Sequence, residues 1–253
     1  MKITAAPHRR PSVRRGAAAL AVAAVLAGAA AAPALAADTP AGSGPVPTFD
    51  FRDCPELPSG VDPARWRCEV LTATGSLTLG SRTIPELTPM TVTHAEGPMP
   101  DGSDGQVFGA LRSAPTPVPG GLLGTPGPSL PLSLRPEYGG RSDFYTVDDH
   151  MGLFTLRFRA LSPLLPRSCT IGAGDTSIEL HLKRTGDSEW ISRNPPLIRF
   201  DAYDTDFTAP PAAGCGPLNR LVDDRLGLPS ARGDAISLSA YYTFRTYDQL
   251  PSR

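Results

Sequence analysis

The 253-residue chain carries 24 Lys plus Arg, 25 Asp plus Glu and four cysteines. The near-neutral total hides an asymmetry: Lys2, Arg9, Arg10, Arg14 and Arg15 crowd the first fifteen residues, which hold no acid. Without residues 1–36, 19 basic residues face 25 acids and the net charge is −6, which argues against nucleic acid or an anionic membrane surface as an electrostatic partner.

Removal of residues 1–36 is the expectation. After the basic start, Gly16 to Ala31 is an alanine-rich apolar run, too short and too weakly hydrophobic for a good membrane span. Ala34-Leu35-Ala36 then supplies the small-x-small pattern of a signal-peptidase site. The arginine pairs allow a twin-arginine route, but neither precedes bulky apolar residues, so the general secretory route is expected. No second run is long enough to span a bilayer, so the expected product is secreted and extracellular, with no transmembrane segment. Residues 37–48 read as a disordered Pro/Gly/Ser-rich lead-in, and 49–253 as a single disulfide-bonded β domain. A domain of this length buries roughly 70% of its unfolded surface, so it does not need disulfides merely to fold.

All four cysteines lie in that domain, and export would place them in an oxidising compartment. Three pairings are possible. The sequential choice, Cys54–Cys68 and Cys169–Cys215, is preferred; the chain-entropy model gives such loops about 3 and about 4 kcal/mol. A four-cysteine zinc site needs close pairs such as C-x-x-C, and the chain has none.

In chain order, Phe49 to Pro63 is turn-rich. Trp66 to Thr72 reads as a first strand with Trp66, Cys68 and Val70 on one face. Leu77-Thr78-Leu79 follows, turned by Gly80-Ser81. Met90 to Glu96 alternates again and puts Met90, Val92, His94 and Glu96 on one face. Gln106 to Arg112 is another strand. Ser113 to Pro136 holds seven prolines and several glycines, so it cannot sit inside a sheet or form a long helix, and is read as a surface loop or a rim. In 154–161, Phe154, Leu156, Phe158 and Ala160 point one way and Thr155, Arg157 and Arg159 the other, a core strand. Ile178 to Lys183 buries Ile178, Leu180 and Leu182 and turns His181 outward. Leu197 to Tyr203 is a strand. Pro217 to Leu226 is the one credible helix, ended by Gly227. Ile236 to Arg245 is the last strand. About eight strands, many turns and one short C-terminal helix predict an all-β antiparallel sandwich or flattened barrel, with no βαβ alternation and so no doubly wound hydrolase sheet.

The chemistry is sparse. No G-x-S-x-G nucleophile elbow exists; Gly102-Ser103-Asp104-Gly105 is one residue short and reads as a hairpin tip. Gly186-Asp187-Ser188 matches the start of another lipase motif without its remainder, and a turn explains it. Three histidines follow residue 36. His150 adjoins Asp148-Asp149 at the head of the core strand. It reads either as part of a solvated acidic turn or as a general base oriented by Asp149, with Ser142 the serine nearest in sequence. His94 reads either as a satisfied buried histidine or as the base. His181 reads as surface. Asp201, Asp204 and Asp206 lack the glycine and bidentate glutamate of a calcium loop. The set His94, Glu96, Asp148 and His150 has donor atoms for a metal but no spacing that brings them together, and no metal or cofactor is expected. Arg232-Gly233-Asp234 matches an adhesion tripeptide and reads more simply as a turn.

Several blocks carry a resemblance: Asp53-Cys54-Pro55, Asp62 to Val70, Gln106 to Arg112, Leu164 to Cys169, and Gly214 to Leu218 running to Gly227-Leu228-Pro229-Ser230. Together they resemble a group of secreted actinomycete proteins labelled cholesterol esterase. The likeness covers nearly all of the chain after the leader. It implies a hydrolase of apolar carboxylic esters acting on an apolar ester or lipid substrate. His150, Asp149, Ser142 and His94 are the residues on this chain that such chemistry would draw on. The alternative is a non-enzymatic extracellular β protein that binds a lipid or glycan.

Overall fold

The computed structural model describes residues 45–124 and 130–251. The expected signal peptide and most of the lead-in lie outside the described residues. Among those described, eleven strands run β1 (Arg67–Leu79), β2 (Arg82–Pro98), β3 (Asp104–Ser113), β4 (Thr116–Pro117), β5 (Ser133–Asp143), β6 (His150–Leu161), β7 (Thr170–Ile171), β8 (Ile178–Arg193), β9 (Pro196–Ala209), β10 (Ala212–Ala213) and β11 (Ser230–Thr246). One α-helix among the described residues, α1 (Asn219–Leu226), precedes β11. Gly227 ends it with φ +77°, the left-handed cap that glycine adopts without penalty. The fold class expected from the sequence is the one observed.

All pairings are antiparallel and form one curled sheet. The circuit is β3-β2-β1-β11-β9-β8-β6-β5. β8 runs along the first half of β6, and the short β7 along its second half. The circuit's ends, β3 and β5, meet through side chains instead of a ladder. The rings of Phe108 and Tyr138 stack at 3.7 Å, and Gln106 Oε1 accepts the Phe144 N–H at 3.0 Å. The result is a flattened barrel with one seam.

The interior follows from strand alternation. Along β1 the odd positions Leu71, Ala73, Leu77 and Leu79 face inward. The even positions Cys68 and Val70 face outward, yet they are fully buried. The segment before β1 and the chain after β11 cover them: Cys54 bonds Cys68, and Phe49, Phe51, Tyr247 and Leu250 pack around the bridge. Trp66 is also fully buried, and its indole N–H donates to Pro98 O at 2.9 Å. The second disulfide, Cys169–Cys215, ties the chain just before β7 to the chain just after β10. Both bridges are the sequential ones.

One end of the barrel is packed solid. Leu77, Leu79, Ile84 and Leu87 meet Val222 and Leu226 of α1, with Val118, Leu122 and Leu132 of the proline-rich segment in the same cluster. The described residues 118–122 and 130–132 of that segment therefore form a plug rather than a free rim. Arg225, 7% exposed, holds it there by donating to the carbonyls of Pro119 and Gly121. Its last residues correct the sequence reading: Ser133–Pro136 belong to β5. Pro136 is accommodated because the other side of β5 pairs only with the two-residue β4, at Ser133 and Leu134, so an N–H missing on that side leaves no gap in a ladder.

Candidate functional site

The other end of the barrel is hollow. A cavity of about 840 Å³ occupies it, within the size range of small-molecule sites. Its wall is mostly apolar: Leu71, Ala73, Met90, Val92, Phe154, Leu180, Phe200, Leu238 and Ala240 all face it. The exposed lining residues Arg65, Asp104 and Tyr145 mark the opening. Gly75 separates the hollow end from the packed one. A Cβ there would sit 1.9 Å from Ser237 O, so the backbones of β1 and β11 come close only because this position has no side chain.

Between opening and apolar floor lies one polar girdle, built by strand register. On β1 and β2, Arg67 pairs with Glu96 and Glu69 with His94 as cross-strand partners. Arg67 makes a charged hydrogen bond to Glu96 and stands 3.3 Å from Glu69. It also lies over the Phe244 ring, 4.9 Å from its centroid. Tyr242, on β11, completes the group.

Burial sets the charge states. Glu69 is pushed up to about 8, first by desolvation and then by the neighbouring Glu96, with Arg67 pulling the other way. His94 is pulled down to about 4, chiefly by desolvation. Tyr242 is pushed up to about 12 by burial. Near neutral pH the acid is therefore protonated and the imidazole uncharged. The 3.7 Å approach of His94 Nε2 to Glu69 is then a contact of two neutral groups, too long for a hydrogen bond. His94 stacks on Phe144 with ring centroids 4.0 Å apart. Its Nδ1 is buried and has no hydrogen-bond partner among the described residues.

The four residues singled out for catalysis fall in three places. Asp149 and His150 come together, with Asp149 Oδ1 2.9 Å from His150 Nδ1, on an exposed turn at the start of β6. Asp148, in that turn, has φ +57°. Ser142 is on β5, where its hydroxyl meets Tyr138 Oη at 3.2 Å. His94 lies alone among them in the cavity. No hydrogen bond among the described residues joins a serine to His94, His150 or His181. His181 is exposed and contacts Glu179 at 3.0 Å.

The other motifs resolve locally. Asp204 accepts the N–H groups of His181 and Asp206, and Asp234 is fully buried, accepting from Gly80 N and Ser230. Both are structural acceptors. Ser103 bonds Asp101 in the β2–β3 turn. Among the described residues no group of three or more His, Cys, Asp or Glu is placed to hold a metal. Ser188 is different: it lines the cavity and receives Arg184 at 3.3 Å, while Arg184 also donates to Asp148 O.

The sequence reading found the β2 half of the girdle, since Met90, Val92, His94 and Glu96 share a face and all line the cavity. It missed the β1 half. Arg67 and Glu69 alternate with Cys68 and Val70, and charged side chains opposite an apolar face ordinarily read as solvent-facing. The available signal was the covering cysteine: an outward face that carries a disulfide is covered, so the charged face has to point in.

Comparison with protein-family models, with curated proteins and with solved structures returns no match. Among the described residues no helix is long and apolar enough to cross a membrane.

Proposed function

We propose that this is an exported binding protein that carries one apolar small molecule inside its barrel. The observation that supports it is the cavity: an apolar chamber with a polar girdle on β1, β2 and β11 and a second polar pair, Arg184 and Ser188, on β8, which suits a ligand with a long apolar body and a polar end. The two disulfides and the signal-like leader support export. The test is titration with the uncharged fluorophore N-phenyl-1-naphthylamine. The expected result is saturable binding near one per chain, with a blue-shifted emission. An Ala240→Trp substitution fills the chamber from a wall position that pairs with Ala73, so it should abolish binding while leaving the fold intact. A folded wild-type protein that shows no binding ends this reading.

A second reading, hydrolysis of apolar carboxylic esters, draws on Ser188. This serine faces the cavity and is linked through Arg184 to the turn that carries Asp149 and His150. The resemblance to esterase-labelled proteins points the same way. Covalent labelling of Ser188 by a fluorophosphonate, with loss of nitrophenyl-ester turnover, is its expected result; an unlabelled Ser188 removes it.

A further inference from the structure

Resting on the binding reading, we propose that the chamber takes a long-chain carboxylate, its head held by Arg184 and Ser188 of β8 and its tail laid along the apolar wall. Strand register builds the pair. Arg184 continues the inward row of Ile178, Leu180 and Leu182. Its partner across the ladder is Ala202 of β9, whose small side chain also lines the chamber. The register then slips. Thr185 pairs with Asp201 and Glu189 with Arg199, so β8 carries more residues than β9 over this stretch. Gly186, at φ +72°, takes up part of the excess. The bulge returns Ser188 to the chamber face, with its hydroxyl 3.3 Å from Arg184 Nη1.

The pairings inside the chamber single out Arg184. Arg67 is bonded to Glu96 and lies 3.3 Å from Glu69, so its charge is compensated. Arg65 stands exposed at the opening, where water solvates it. Arg184 is half-buried. Its side-chain acceptors among the described residues are the Ser188 hydroxyl and, at 3.1 Å, the Asp148 carbonyl, both neutral. The adjacent turn gives it main chain and no carboxylate, since Asp149 Oδ1 is turned to His150 Nδ1 at 2.9 Å. Ser188 accepts from Arg184 and so keeps its own proton to donate. A cation and a hydroxyl donor therefore converge on the chamber, and both call for an acceptor that carries negative charge. The two oxygens of a carboxylate meet both, and a guanidinium–carboxylate hydrogen bond is roughly twice as strong as a neutral one. An alcohol or an ester would leave the charge unpaired, and an ammonium would oppose it. A phosphate monoester brings more than one negative charge near neutral pH to a single uncompensated cation. Met151, Leu182, Phe200 and Leu238 line the same chamber and supply apolar contact for the tail.

The experiment is competitive displacement of N-phenyl-1-naphthylamine from the purified protein at pH 7. The competitors share one chain length: dodecanoate, 1-dodecanol, dodecylammonium and dodecyl phosphate. Dodecanoate is expected to displace the probe at concentrations roughly tenfold or more below the others. Arg184→Met keeps the apolar stem and should bring the dodecanoate-to-dodecanol ratio to about one, while Arg184→Lys keeps the charge and should retain part of the preference. Ser188→Ala should weaken dodecanoate severalfold and leave dodecanol unmoved. Probe binding without a preference for dodecanoate overturns the proposal and leaves the binding reading standing. An Arg184→Met protein that keeps the wild-type preference overturns it too. Where that variant does not fold, a Ser188→Ala protein with the wild-type ratio does the same. A folded wild-type protein that does not bind the probe ends the binding reading, and this proposal with it.

Discussion

The two ends of the barrel are built from the same strands and do opposite things with them. Below Gly75, β1 turns Leu77 and Leu79 into a cluster that α1 and the proline-rich segment close off. Above it, the same inward row continues as Ala73, Leu71, Glu69 and Arg67 and encloses empty space. Side-chain supply explains the difference. The packed end receives Leu122, Leu132, Val222 and Leu226 from outside the sheet; the hollow end receives Phe144, Tyr145 and Thr146 only near its opening and lines its wall with Ala73, Ala202 and Ala240. A curled sheet of this girth does not fill itself, so stability and binding are divided between its ends.

Truncation should separate them most strongly. Leu226 is fully buried in the packed cluster, so Leu226→Ala is expected to cost about 2–5 kcal/mol in denaturant unfolding. Leu238→Ala removes a side chain that faces the chamber, so little new void is made, and the loss should stay below about 1.5 kcal/mol while probe binding changes. Equal losses at both sites would mean that the cavity is not open in solution.

Next in size is the clamp on the plug. Arg225→Met keeps the apolar stem and strips the donors from Pro119 O and Gly121 O. Unpairing these part-buried carbonyls should cost about 1–2 kcal/mol and expose the 114–124 segment to proteases before the barrel opens. Cleavage that follows only global unfolding would show that the plug does not depend on Arg225.

The girdle gives the hollow end its own pH signature. Glu69 is raised from 4.5 to about 8, so the native state holds a proton that the unfolded chain has released, and stability falls as pH rises through that window. His94 is lowered from 6.5 to about 4, so here the unfolded chain holds the extra proton, and stability falls as pH drops from 6.5 towards 4. The two slopes oppose each other between 4.5 and 6.5; above 6.5 only the Glu69 slope remains. Glu69→Gln should therefore flatten the decline between pH 6.5 and 8 that wild-type protein shows, a difference of a few kcal/mol in unfolding free energy by pH 8. Parallel wild-type and variant profiles there would show that Glu69 titrates normally, and would remove the neutral girdle.

The packed end and the hollow end were not equally legible in the sequence. Strand alternation located the core strand 154–161, the last strand, the helix and its Gly227 cap, because each carries a clear periodicity and a stop signal. It also put His94 and Glu96 on one inward face. β5 was invisible because Pro136, Gly139 and Gly140 break its pattern, and its place on the seam tolerates them. The girdle's other half was hidden because charge reads as solvent exposure, and only the register of β1 against β2 brings Glu69 to His94. Asp149 and His150 met as neighbours on a turn, but proximity in sequence did not bring Ser142 to them.

The smallest expected effect is also the sharpest division between the two ends. Replacing a buried side chain in the packed cluster can only lose contacts. His94 instead carries a buried nitrogen with no partner among the described residues, so the fold bears the cost of its desolvation. His94→Leu exchanges that cost for apolar surface of similar size against Phe144. Its expected unfolding free energy at pH 7 is unchanged or higher by up to about 1 kcal/mol, and with the opposing His94 slope gone its profile should rise from pH 6.5 to 4.5, where the two wild-type slopes nearly cancel. A loss of more than about 2 kcal/mol would instead make His94 part of the scaffold.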